Sequence, residues 1–216
     1  MPEPSILRIK EIFWSFQGEG LRLGFPSIFL RLAGCEVRCP YCDSKESWGT
    51  DPCTFTTVTV PEILAAVNEY SGKYPGSQVV VTGGEPLEQD LTALVAALKK
   101  KDYFLSIETN GLHDQDLAID WWTVSPKDMS GYFIHPGLPG KIKEIKLIVN
   151  EHLTLEVIRG IRQRVAGVPI VPIFLQPEGG NPDRYAQSFE LFRRCLEQGI
   201  EGIRAGVQLH TVYGVQ

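Results

Sequence analysis

Apolar residues recur along the chain in short runs, at positions 6–13, 27–32, 78–82, 103–109, 121–125, 142–149, 169–175 and 203–209. Several are nearly continuous in Val, Ile and Leu, which marks strands covered on both faces. Between some of them the period changes to that of a helix. Thr59-Val60-Pro61-Glu62 reads as a capping box with an early proline, followed by Ile63, Leu64, Val67 and Tyr70 on one face. Leu91, Leu94, Val95 and Leu98 give a second stripe, with Lys99 to Lys101 at the negative end of its dipole. A third stripe covers residues 153–164. Asn181-Pro182 opens a fourth helix, with Tyr185, Phe189 and Phe192 as its apolar stripe and a stop at Gly199.

Strands alternating with helices predict an α/β protein with a parallel sheet and right-handed crossovers. The connections 111–120 and 126–141 are too short or too rich in Gly and Pro for regular full helices, so the pattern predicts an incomplete βα barrel. Polar motifs fall after Leu32, Val81, Ile107, Val124, Leu175 and Val207, at the carboxyl ends of strands, where such sheets carry their sites.

At 216 residues, 43% hydrophobic and 22% charged, the chain is expected to form one domain, 1–216, with a sizeable core. A formal charge of −5 excludes a general basic field for coating duplex nucleic acid or anionic lipid. Neither a signal-type segment nor a run of membrane-spanning length is seen, so the expectation is a cytoplasmic protein without membrane contact.

Three of the five cysteines, Cys35, Cys39 and Cys42, stand within eight residues. That crowding disfavours a disulfide framework and favours metal. A structural zinc site wants four closed ligands, which would need a His or Cys53 as the fourth. Three thiolates on a 4Fe-4S cubane leave one iron open for another ligand. Cys53 and Cys195 are expected to be small buried hydrophobes. Gly18-Glu19-Gly20 does not continue as a dinucleotide loop should, since Leu-Arg-Leu-Gly follows.

The C-x3-C-x2-C spacing, with Tyr41 before the last cysteine, resembles the signature of the radical S-adenosylmethionine (SAM) enzymes, and Gly83-Gly84-Glu85-Pro86 resembles their second motif. Phe16 to Gly20, Gly24 to Leu32, Cys42-Asp43-Ser44, Glu108 to Gly111, Ser125-Pro126-Lys127 and Gln208-Leu209-His210 resemble one branch, the 7-carboxy-7-deazaguanine synthases. The resemblance implies a shortened (β6/α3) radical-SAM barrel. It also implies conversion of 6-carboxy-5,6,7,8-tetrahydropterin to 7-carboxy-7-deazaguanine with loss of ammonia, on the way to queuosine and related deazapurines. The implied cofactors are a 4Fe-4S cluster on Cys35, Cys39 and Cys42, SAM, and Mg²⁺ at the Ser44 hydroxyl. A flavodoxin or ferredoxin as electron donor and a homodimer belong to the same expectation, with no direct nucleic-acid partner.

For SAM the candidates are Gly84, where the backbone meets the methionyl amine, Glu85 as acceptor, and Glu108 and Asn110 for amine or ribose. Ser125, Pro126 and Lys127 form a further contact, and Gln176, Pro177, Glu178 and Gly179 are expected to reach the adenosine. For the pterin they are Phe16, Gln17 and Gly18, which offer an aromatic face, an amide and close backbone approach. Arg31 is expected to share a strand face with Phe29, opposite Ile28, Leu30 and Leu32; its planar fork suits a substrate carboxylate, with an internal salt bridge as the alternative. Thr82 and His210 are expected to close the pterin pocket, and the carboxylate of Gln216 to reach the substrate amino group. Ser44 has the alternative of bonding its own turn, and Asp43 that of capping it. Two other functions suit parts of the pattern: an activase for a glycyl-radical enzyme, and a zinc or iron–sulfur binding module.

Overall fold

The computed structural model describes residues 5–49, 51–165, 170–178 and 181–215. They fall into two compact units, each assembled from separated segments. The first comprises the residues up to Gln17, Gly24–Thr109 and Gln115–Trp121; the second comprises Gly18–Leu23, Asn110–Asp114 and the chain from Trp122 onward.

In the first unit, β1 (Ile6–Phe16), β2 (Pro26–Leu32), β3 (Thr56–Thr59), β4 (Gln78–Gly83) and β5 (Leu105–Thr109) lie in the order β3-β1-β2-β4-β5. β2, β4 and β5 are parallel, as expected, but β1 runs antiparallel to both β2 and β3. The wholly parallel sheet is therefore corrected: the connection from Gln17 to Phe25 is too short for a crossover, which needs a dozen or more residues. β3 has no counterpart among the predicted runs, because Thr56–Thr59 is a short, half-exposed edge without an apolar signature.

Strand alternation sorts β2 as predicted. Ile28, Leu30 and Leu32 are fully buried, and each such side chain contributes about 1.5–3 kcal/mol relative to exposure. On the other face, register aligns Ser27, Phe29 and Arg31 with Gln78, Val80 and Thr82 of β4. This face is layered. At its amino-terminal end Gln78 donates to Ser27 Oγ (2.9 Å) and accepts from Ser106 Oγ (3.0 Å), all three side chains being buried. Phe13 stacks on Phe29 in the middle, ring centroids 5.0 Å apart. Arg31 and Thr82 stand at the carboxyl end, where the layer turns polar again.

Helix α1 (Val60–Lys73) starts with the predicted capping box: Glu62 accepts from the Thr59 backbone N–H and hydroxyl, and Val60, Ile63 and Val67 are buried. Helix α2 (Thr92–Lys99) buries Leu94, Val95 and Leu98. Lys99 in its last turn pairs with Asp120, which also accepts from the β5 N–H of Leu105 (2.8 Å).

The second unit has the parallel order β6 (Trp121–Val124), β7 (Ile142–Val149), β8 (Ile173–Pro177), β9 (Ile203–Ala205). Ile145, Leu147 and Val149 of β7 are fully buried, while Glu144 and Lys146 occupy the alternate face. Helix α3 (Leu155–Arg164) is capped by Thr154, and α4 (Pro182–Glu197) by Asn181. The apolar face of α4 is corrected. Ser188, Leu191 and Cys195 are the buried positions, and Ser188 donates to the Leu175 carbonyl of β8 (3.1 Å). Tyr185 and Phe189 are exposed, at 37% and 66%. The last predicted strand ends at Ala205, and residues 209–213 instead form a short helix, α5 (Leu209–Tyr213). Among the described residues no helix is long and apolar enough to cross a membrane.

Candidate active site

The cysteine loop leaves β2 through Gly34, whose φ of +103° favours glycine. Two loops are laced together there. Gly84 N–H donates to Leu32 O (2.9 Å), Glu85 N–H to Gly34 O (2.7 Å), and Gly34 N–H to Ser47 O (2.8 Å). A β-carbon on Gly84 would lie 2.0 Å from Gly34 O, so glycine is required here by the close approach of the cysteine loop's backbone. Cys42 N–H turns back to Cys39 O (3.0 Å), Ser44 N–H points at Cys42 Sγ (3.4 Å), and the Glu36 N–H is held by the Glu88 carboxylate (2.7 Å).

Burial pushes the Cys35 thiol above its ordinary value, while backbone N–H groups of Arg38 and Val37 work the other way. Backbone amides directed at sulfur and an all-thiol donor set fit a soft iron–sulfur group. Cys195 is fully buried as expected; Cys53 is exposed, contrary to expectation, because it sits in the surface turn Pro52–Thr54.

Further along the same unit, Arg31 is committed on two sides. Its Nε donates to Glu11 Oε1 (2.7 Å) and its Nη1 to Ser44 Oγ (2.5 Å), with the guanidinium over the Phe13 ring at 5.4 Å. The internal salt bridge held as an alternative is thus present. Glu11 was missed, since only the antiparallel register of β1 and β2 reveals that it faces Arg31. Ser44 is buried and joined to the predicted substrate arginine.

Glu108 gathers two more candidates, accepting from Gln17 Nε2 at one oxygen (3.1 Å) and from Thr82 Oγ1 at the other (2.9 Å). A residue expected at the cofactor therefore stands with two expected at the pterin. Glu85 is only 1% exposed and accepts from Leu87 N–H (3.0 Å) and Thr109 Oγ1 (2.7 Å), so this carboxylate shapes its own turn. Phe16 ends β1 half-buried, opposite Pro26.

The second unit holds the remaining candidates. The Gly18 carbonyl accepts from Leu209 N–H (2.9 Å), and a β-carbon on Gly18 would meet the His210 ring at 2.1 Å. Asn110 accepts from Leu112 N–H within its turn (2.8 Å). Lys127 donates to Ser125 Oγ (2.7 Å) beside buried Pro126. Glu178 pairs with Arg184 (3.4 Å), next to buried Pro177. Gln176 is 1% exposed, and among the described residues neither end of its amide has a hydrogen-bond partner. A buried amide costs stability unless it is paired, so Gln176 fits a residue awaiting a ligand with both a donor and an acceptor. Gly179 and Gln216 lie outside the described residues.

Residues 30–124 match the model of the radical SAM superfamily. The chain is 35% identical over 212 residues to the 7-carboxy-7-deazaguanine synthase of Synechocystis sp., covering 96% of this chain and 93% of the relative. The chain belongs to the 7-carboxy-7-deazaguanine synthase family. The Aquifex aeolicus synthase is 29% identical over 98% of this chain and 95% of its own. The crystal structure of QueE from Escherichia coli superposes with a TM-score of 0.76, at 29% identity and 95% coverage of both chains. The α/β radical-SAM fold follows, and with the superfamily come a 4Fe-4S cluster and SAM as cofactors.

Proposed function

We propose that this synthase-family chain converts 6-carboxy-5,6,7,8-tetrahydropterin to 7-carboxy-7-deazaguanine and ammonia. The observation that carries the reading is the arrangement around Glu108: one carboxylate holds the Gln17 amide, just after β1, and the Thr82 hydroxyl of β4. Together they offer the acceptors and donors that an aminopyrimidinone edge needs. Substrate and products balance without net oxidation, so catalytic use of SAM suits the reaction. When bound, the cluster and SAM would supply reductively initiated radical chemistry, with hydrogen-atom abstraction as the step the chain itself cannot perform.

The chain's own residues bind and orient. Cys35, Cys39 and Cys42 hold the cluster, Gly84 keeps the second loop against them, and Gln176 supplies the amide for the adenosine. Asn110, Ser125, Pro126, Lys127, Pro177 and Glu178 complete the proposed SAM surface. Arg31 turns its fork to the substrate carboxylate, and Phe16, Gly18 and His210 frame the ring. Ser44 serves Mg²⁺: a hydroxyl has two acceptor lone pairs, of which Arg31 takes one, and Mg²⁺ keeps waters and takes substrate oxygens for the rest. A flavodoxin or ferredoxin donor, a homodimer, a cytoplasmic location and one functional domain belong to the same proposal. The activase and the simple metal-binding module are not favoured by kinship that runs along almost the whole chain.

The test is anaerobic reconstitution, iron and sulfide counting, and incubation with the carboxypterin, SAM and dithionite. Conversion of the pterin with less than one SAM consumed per product supports the proposal. SAM cleavage with no change in the pterin overturns it.

A further inference from the structure

Residues 18–23 follow β1 in sequence but belong to the second unit, and Glu19 is their anchor. Its Oε2 accepts from Lys146 Nζ of β7 (2.5 Å) and its Oε1 from Gln208 Nε2 (2.9 Å). The ion pair is nearly buried, with side-chain exposures of 9% for Lys146 and 12% for Glu19. Two residues earlier on the same face of β7, Glu144 accepts from Leu21 N–H (2.7 Å) and from Thr123 Oγ1 (2.8 Å). Gly20, at φ +68°, makes the turn between these anchors, and a β-carbon there would lie 2.3 Å from Glu144 Oε1. β7 thus holds both ends of the Glu19–Leu21 turn. That turn in turn holds the carboxy-terminal segment at Gln208, at Leu209 N–H on Gly18 O, and at the His210 ring against Gly18.

We infer that Glu19 is a positioning residue for the pterin reaction: paired to Lys146 on the strand, it docks Gln208 so that His210 is held at Gly18. This rests on the proposed role of His210. The chemistry favours a carboxylate, since its two oxygens serve a cation and an amide together, and an ion pair so deeply placed is costly unless both partners are present.

The test uses the reconstituted full chain. Glu19→Ala alone takes a carboxylate away from the nearly buried Lys146 ammonium and unfolds easily, so the informative variant is Glu19→Ala/Lys146→Met, which removes both charges. The expected result is a pterin KM raised at least about tenfold with kcat within about threefold, and SAM cleavage retained. In the same variant, backbone amide exchange should quicken at least about tenfold in the peptide containing Leu209 and stay unchanged in peptides of β7 and β8. Unchanged exchange at Leu209, or quickened exchange with an unchanged KM, overturns the inference. If the native chain leaves the pterin untouched, the functional proposal fails by itself, and the exchange at Leu209 still decides whether Glu19 docks this segment.

Discussion

An alanine at position 84 would set a methyl carbon 2.0 Å from the Gly34 carbonyl oxygen, 2.6 Å from its carbon and 3.0 Å from the Ser47 carbonyl oxygen. All three neighbours are backbone, so no side chain can swing aside. The two loops must part by more than an ångström to reach ordinary contact, and the hydrogen bonds between them run through the same atoms: Gly84 N–H to Leu32 O and Glu85 N–H to Gly34 O. Losing both costs about 1 kcal/mol each, and overpacking adds about 1–3, for a loss of about 3–5 kcal/mol. Urea unfolding of the apo chain under anaerobic conditions measures this. Because Gly34 immediately precedes Cys35, iron and sulfide per chain after reconstitution should fall as well. A Gly84→Ala protein within about 0.5 kcal/mol of the native chain and with its full iron content would refute the steric reasoning.

Gly160, inside α3 with open space around its Cα, is the opposite case; Gly160→Ala should stabilise by about 0.5–1 kcal/mol in the same urea experiment. Gln78→Leu leaves Ser27 and Ser106 without their shared partner in a buried layer and should cost about 2–4 kcal/mol, read as a lower urea midpoint. Burial, with Asp128 nearby, pushes the Tyr132 phenol up to about 12, so its own contribution to stability should be flat below about pH 10 and fall above it as the unfolded phenol ionises first. Tyr132→Phe should remove that contribution to the alkaline slope in pH-dependent urea melts, and should not destabilise at neutral pH, because among the described residues the Tyr132 hydroxyl has no partner. Arg31→Lys cannot hold Glu11 and Ser44 in the same fork and should raise the pterin KM more than it slows SAM cleavage; equal losses in both assays would contradict the substrate role.

How much of this was legible depended on the range of the physics. The start of α1 was readable because a capping box is closed within four residues, Thr59 to Glu62. The face of β2 was readable because strand alternation is local, and Ile28, Leu30 and Leu32 need no partner to be recognised as core. The face of α4 was misread because aromatic side chains outweigh Ser188 and Cys195 in any count of hydrophobicity, whereas small side chains are what let a helix approach a strand closely, as the Ser188 bond to Leu175 shows. Glu11, Lys146 and Glu144 were missed for another reason. Each becomes meaningful only when register or the docking of a turn places it against a residue far away in sequence, and no local pattern carries that information. The candidate residues themselves were legible as motifs, but their groupings, such as Glu108 with Gln17 and Thr82, were not.

The membership of residues 18–23 in the second unit also bears on how this chain can be cut and built. A fragment beginning at Trp122 would lack two segments of its own unit, residues 18–23 and 110–114, and with the first of them the Glu19 carboxylate on Lys146 and the Leu21 N–H on Glu144, so it should be less stable than the same residues in the whole chain. Complementation would have to supply both missing segments, and during synthesis on the ribosome the early one, with Glu19 to Leu21, must wait for β7 to emerge before it finds its place.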